Sequence, residues 1–126
     1  MTATFTGPEV VFDHKMQRAQ LLMPIEAWAI GRHIVVPAGF ITDFASVPRI
    51  FWRILPPCGD YGLAAIIHDY LYSFGSAAGR KITRAQADLA LWQIMTQCEV
   101  AWWKKELIYR GVRLGGWVVW NRYRSV

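Results

Sequence analysis

A chain of 126 residues with 54% apolar residues and seven tryptophans is long enough for one hydrophobic core and too apolar for a disordered segment. Its formal net charge of +5 leaves phosphate, nucleic acid or an anionic envelope open as partners. No uncharged apolar stretch approaches the roughly 18 residues of a spanning helix. No basic segment followed by an apolar run opens the chain, so the expectation is a protein made in the cytoplasm, with no transmembrane segment and no secretory signal. Cys58 and Cys98 form no C-x-x-C pair and read as reduced, buried thiols; a disulfide requires that the two meet in the fold.

Residues 1–7 have little pattern and read as a loose end. The runs 9–12 and 20–23 are short and β-prone. Residues 26–30 alternate weakly, Gly31-Arg32 reads as a turn, and 33–36 as the return strand of a hairpin. Pro37-Ala38-Gly39 carries the residues of a type II turn. The first third, residues 8–45, is thus expected to be a small antiparallel sheet or meander.

From Ser46 the period becomes helical. Ser46 serves as an N-cap, and Pro48 suits a first turn, for a short helix to about Ile54 that Pro56-Pro57 stops. Asp60 caps a second helix to about Ser73, with Leu63, Ala64, Ile67, Tyr70 and Leu71 as its buried stripe. Residues 74–81 read as a loop. Thr83-Arg84-Ala85-Gln86 matches a capping box and opens a helix to about Cys98, with Ala87, Leu91, Ile94 and Met95 facing the core. One last helix from about Val100 places Trp103, Leu107, Gly111, Leu114 and Val118 along one stripe, and Gly111 and Gly115 either let a neighbouring helix approach or simply weaken the helix by about 1 kcal/mol each. The fold class is α+β: a small N-terminal antiparallel sheet followed by a three- to four-helix bundle over residues 46–120, in one domain spanning 1–126.

Two stretches concentrate polar chemistry: Gly39-Phe40 with Thr42-Asp43-Phe44-Ala45-Ser46-Val47-Pro48-Arg49, and His68-Asp69-Tyr70-Leu71-Tyr72. With Asp88 and the Arg113-Leu114-Gly115-Gly116 end, they make the chain from about Pro37 to Gly116 resemble a phage and bacterial family, number 1353 among the domains of unknown function. The resemblance implies a phage or prophage setting and supplies no reaction.

His68 and Asp69 stand in an otherwise apolar helix, and a buried carboxylate needs a partner. If the two helices flanking 74–81 pack antiparallel, Asp88 approaches His68 and Asp69, with Asp43 completing the cluster. An imidazole with two or three carboxylates suits Zn²⁺, Mn²⁺ or Mg²⁺, so His68, Asp69 and Asp88 are the candidate metal ligands. Asp43 would be a ligand or general base, with Ser46 and Arg49 holding the substrate. The plainer reading is a buried polar network that docks the loop on the helices and catalyses nothing, with Arg49 or Arg84 as the counter-charge.

Trp102, Trp103, Trp117 and Trp120 exceed what one buried stripe needs, and residues 104–126 carry six basic side chains against Glu106. Trp103, Arg110, Arg113 and Trp117 are therefore candidate partner-binding residues, for a protein, a cell-wall glycan or a membrane surface. A solvated helix face with a basic tail is the plainer alternative. Nucleic acid is disfavoured because no recognisable binding module is present. Two functions follow as expectations. The first is a phage-type hydrolase of cell-wall peptide or another amide, metal-assisted or using a carboxylate–imidazole site. The second is a non-enzymatic accessory or virion protein that binds through its Trp-rich basic helix.

Overall fold

The computed structural model describes residues 10–13, 18–43 and 59–125. The expected α+β order is observed. A first sheet has the antiparallel order β1 (Val10–Asp13), β2 (Arg18–Leu21), β5 (Ile41–Thr42), and a separate hairpin joins β3 (Ile25–Ala29) to β4 (Arg32–Val36). Alternation fixes which face is inside: Ala19, Leu21, Ala27, Ala29, Ile34 and Val36 are buried, while the residues between them are half-buried or exposed.

The β3–β4 turn holds Ile30 at φ 51° and Gly31 at φ 68°, the pair of positive values a two-residue hairpin requires. A β-branched residue resists that region, and helix α2 (Arg84–Gln97) restrains it: the Ile30 N–H donates to Gln93 Oε1 at 2.6 Å, and Gln97 Nε2 donates to the Trp28 carbonyl at 2.7 Å. Before β5, Gly39 stands at φ +90° and the Phe40 N–H donates to Pro37 O at 3.3 Å. That is the turn expected from Pro37-Ala38-Gly39, and it delivers Thr42 to the interior, where it is buried.

Helix α1 (Gly59–Phe74) lies at the centre. Every residue from Gly62 to Asp69 is buried, as are Leu71 and Tyr72, so this helix has no polar face over that length. The expected stripe of Leu63, Ala64, Ile67 and Leu71 is buried, with Tyr70 half-buried, but burial extends around the whole cylinder. Its last turn carries no basic residue of its own. Arg124 supplies one from the far end of the chain, donating to the Tyr72 and Ser73 carbonyls, where a cation meets the negative end of the helix dipole.

Residues 76–81, expected as loop, form a small hairpin of β6 (Ser76–Ala77) and β7 (Arg80–Lys81), with Ala78 and Gly79 both at positive φ. Two-residue strands are too short to show alternation in a sequence. Arg32 Nη1 holds this hairpin by donating to the carbonyls of Ala77 (3.3 Å) and Arg80 (3.1 Å).

Helix α2 (Arg84–Gln97) begins with the expected capping box: the Gln86 N–H donates to Thr83 Oγ1 at 3.2 Å and the Thr83 N–H to Gln86 Oε1 at 2.8 Å. Ala87, Leu91, Ile94 and Met95 are buried as expected. Thr83→Ala is expected to lower stability by about 1 kcal/mol, read from denaturant unfolding at unchanged m-value.

The single last helix is instead two, α3 (Trp102–Gly115) and α4 (Trp117–Arg124), with the break at Gly116. The expected stripe is not what it buries. Ile108 and Val112 are buried, whereas Trp103, Leu107, Leu114 and Val118 are exposed. Nor does Gly115 mark a helix contact: a Cβ there would meet nothing within 4 Å. Close approach is found instead at Gly116, where a Cβ would run into the Tyr72 hydroxyl, and at Gly75, where it would run into the Arg124 guanidinium.

Candidate functional site

The antiparallel packing of α1 on α2 brings His68, Tyr72 and Asp88 together, all with less than 1% exposure. Spacing explains the pair on α1: His68 and Tyr72 are four residues apart and share a face, with ring centroids 4.4 Å from each other. The Asp88 carboxylate accepts at both oxygens. At Oδ1 it takes His68 Nε2 (2.8 Å) and the Tyr72 hydroxyl (2.6 Å). At Oδ2 it takes Arg113 Nη1 (2.9 Å) and Arg84 Nη1 (3.3 Å). An ionised carboxylate only accepts, so His68 carries its proton on Nε2.

The guanidinium of Arg84 does a second job. It donates to the Val112 carbonyl at 2.9 Å and the Arg113 carbonyl at 3.1 Å, two acceptors in the last turn of α3. One carboxylate thus joins α1, α2 and α3, with two arginines forming its outer, partly wet edge.

Electrostatics follow from this geometry. Burial alone pushes the Asp88 carboxyl up, but the hydrogen bond and charge of His68, then the Tyr72 hydroxyl and Arg113, outweigh it and hold the group below the ordinary aspartate range. The Tyr72 phenol is pushed up, first by burial and then by its bond to Asp88 and the charge there, with Arg84 opposing. A depressed carboxylate stabilises the fold above its unfolded pKa of about 4 and loses that contribution as pH falls through the lower native value. A raised phenol contributes fully below about pH 10 and loses its share as pH rises beyond that. Circular dichroism across pH should therefore show stability falling at both extremes, with the acid limb flattened in Asp88→Asn and the alkaline limb in Tyr72→Phe.

Asp69 belongs to a different place. Its Oδ2 accepts from Thr42 Oγ1 at 2.6 Å, joining α1 to β5 rather than to α2. Ser73 Oγ donates to the Asp69 carbonyl at 2.8 Å. Asp43, next to Thr42, is exposed. The phenol of Tyr123, on α4, is pushed up by burial, then by the charge of Asp69 and, more weakly, of Asp43. Adjacent positions on α1 therefore serve two separate centres. Ser46 and Arg49 lie outside the described residues, as do the expected helix over 46–54 and Cys58. Cys98 is half-buried at the C-cap of α2.

His68, Asp69 and Asp88 do not make one ligand set. The four donors on Asp88 occupy both of its oxygens, two of them cationic, and Asp69 faces Thr42. Among the described residues no group of three or more His, Cys, Asp or Glu side chains is placed to hold a metal ion.

Residues 20–112 match the family described as Protein of unknown function (DUF1353). The chain belongs to that family. No curated protein and no solved structure matches it. In this DUF1353 member the matched span includes Thr42, His68, Asp69, Tyr72, Arg84 and Asp88, and stops just before Arg113 and the Gly116 break.

The candidate partner-binding residues are divided by the structure. Trp103 and Trp117 are exposed, and the Arg110 side chain is exposed beside Glu106, its i,i+4 partner at 3.3 Å. Arg113 turns inward to Asp88 and belongs to the buried network instead. Trp120 is half-buried against Tyr72, at 5.2 Å between ring centroids, with the Arg124 guanidinium over its ring at 4.4 Å. The residues that composition did not single out are Leu107 and Leu114, both exposed, the latter at 80%. Their spacing from Trp103 was legible, but spacing does not say whether a stripe faces the core or solvent. Among the described residues no helix is long and apolar enough to cross a membrane.

Proposed function

We propose that this DUF1353 protein is a non-enzymatic binding protein that engages a macromolecular partner through the outer face of α3 and α4. The setting that the sequence resemblance implies is a phage accessory or virion protein acting on a host or structural partner. One observation carries the reading: Trp103, Leu107 and Leu114 are exposed on the side of α3 opposite buried Ile108 and Val112. An apolar stripe on the solvent side of a helix has no role in holding this fold and is a common mark of an interaction surface. Two of the candidate metal ligands, His68 and Asp88, are by contrast buried and bonded to each other, and Asp88 also accepts from Tyr72, Arg84 and Arg113. That arrangement ties helices together.

The test is gel filtration of native extract containing the tagged full chain. Wild type should elute with larger species, and Leu114→Glu should elute as the free chain with an unchanged melting temperature. Co-elution that survives Leu114→Glu, or a wild type that runs only as free chain, contradicts the proposal.

A second reading rests on Asp69, Asp43 and Tyr123, the two carboxylates whose charge acts on the phenol of α4. A phenol raised beside two carboxylates is an acid–base arrangement suited to a hydrolase of cell-wall peptide or another amide. A metal-assisted form of it would take its ligands without Asp88, whose oxygens are engaged. Hydrolysis of muropeptide or amide substrates lost in Asp69→Asn, with the melting temperature kept, would favour this reading. Elemental analysis of untagged protein beside the same variant separates its metal-assisted and metal-free forms.

A further inference from the structure

We infer that the outer face of α3 and α4 seats on an anionic lipid surface, an assignment that rests on the binding reading above and names its partner. The charge distribution selects the occupant. The chain has 14 basic and 9 acidic residues, and residues 104–126 hold six of the former and one of the latter. Eight basic and eight acidic residues remain elsewhere and cancel, so the excess lies in the segment that bears the exposed stripe; Arg113 turns inward to Asp88 and Arg124 to the end of α1, and Lys104, Lys105, Arg110 and Arg122 stand apart from both. A second copy of the same face would bring two such segments together in repulsion. An anionic surface gains from the same field.

The apolar composition points the same way. Trp102, Trp103, Leu107, Leu114, Trp117 and Val118 are exposed along the two helices, with Leu114 at 80% and Trp102 at 69%. Tryptophan favours the boundary between headgroups and acyl chains, and leucine the layer just below. Nucleic-acid platforms stack bases on aromatic rings and have no use for two exposed leucines between them. Trp103, Leu107 and Leu114 stand on the side of α3 turned away from buried Ile108 and Val112. An exposed apolar helix face enters a lipid surface without needing a complementary groove. Lys104, whose Nζ lies 5.4 Å from the Trp103 ring centroid, and exposed Arg110 and Arg122 flank the apolar residues with stems long enough to reach headgroup phosphates. No helix among the described residues is long and apolar enough to span; the seating is along the surface, in the plane of the interface.

The experiment is flotation of the full chain with vesicles of phosphatidylglycerol and phosphatidylcholine, beside vesicles of phosphatidylcholine alone. The protein should float with the anionic vesicles, shift its tryptophan emission to the blue, and be released by raised salt, which screens charges beyond about 10 Å at 0.1 M. Leu114→Glu should weaken partitioning at least about tenfold, the effect of losing one leucine from an apolar environment. Met23→Glu changes charge equally at a site exposed on the bend after β2 and should partition like wild type. No flotation, equal flotation on neutral vesicles, or equal loss in both variants would overturn the lipid assignment. Failure here, with the gel-filtration result above still dependent on Leu114, would leave a protein partner of acidic character and sink only the lipid. If both fail, the binding reading falls too.

Discussion

Asp88→Ala is expected to cost about 3–5 kcal/mol, the usual consequence of removing one member of a buried charged network. The size comes from what is left behind rather than from the ion pairs themselves. The Arg84 and Arg113 side chains keep 19% and 35% of their exposure and can turn to water. His68 and Tyr72 are fully buried and cannot. Each is left with a donor that has lost its acceptor, at about 1–3 kcal/mol apiece. For a chain of this size the loss should appear as a fall in melting temperature on the order of 10 °C or more. Arg84→Ala should cost less, because Asp88 retains three donors, although the last turn of α3 loses the partner of two carbonyls. A fall of only a few degrees for Asp88→Ala would mean that the network is not what joins the three helices.

Gly116→Ala should be nearly as damaging, for a different reason. A methyl group there would stand 2.3 Å from the Tyr72 hydroxyl and 2.5 Å from the Val112 carbonyl oxygen, distances that require something to move. Tyr72 is fixed by Asp88 and by the edge of Trp120, and Val112 O accepts from both Arg84 and the Gly116 N–H. Neither neighbour is the free end of a flexible side chain. Overpacking of this kind costs about 1–3 kcal/mol, and here it also pushes on the Asp88 network. The two effects are separable by a double-mutant cycle with Tyr72→Phe. Removing the hydroxyl takes away the nearest clash, so the double variant should be more stable than the sum of the two single changes predicts. Strict additivity would mean that the methyl group is accommodated without touching Tyr72.

Local signals in the sequence were read correctly where one residue type has one structural use. Thr83 with Gln86 marked the start of α2, Gly31 and Gly39 marked turns, and Asp88 was placed opposite His68 by the expected antiparallel helix pair. The same reading grouped Asp69 with Asp88, although adjacent residues on a helix point about 100° apart. On a helix buried all round, both can be interior yet belong to different neighbours; only the packing of β5 against α1 decides that Asp69 meets Thr42. Arg113 illustrates a related limit. It sits in a basic, Trp-rich segment that reads as surface, and only the fold reveals that it reaches back to Asp88. The α3 stripe was not assignable to core or surface because this helix has apolar residues on two sides, Ile108 and Val112 on one and Trp103, Leu107 and Leu114 on the other. Periodicity gives the spacing of a stripe but does not say which of two is covered.

The most direct test of the central claim, that the chain acts through the outer face of α3 and α4, is site-specific photocrosslinking in the native cell with benzoylphenylalanine at position 114. A control carries the same group in place of Leu89, an exposed position on α2. The account predicts adducts from position 114 and none from position 89. No adduct at 114, or the same adducts from both positions, would contradict it and return attention to Asp69, Asp43 and Tyr123.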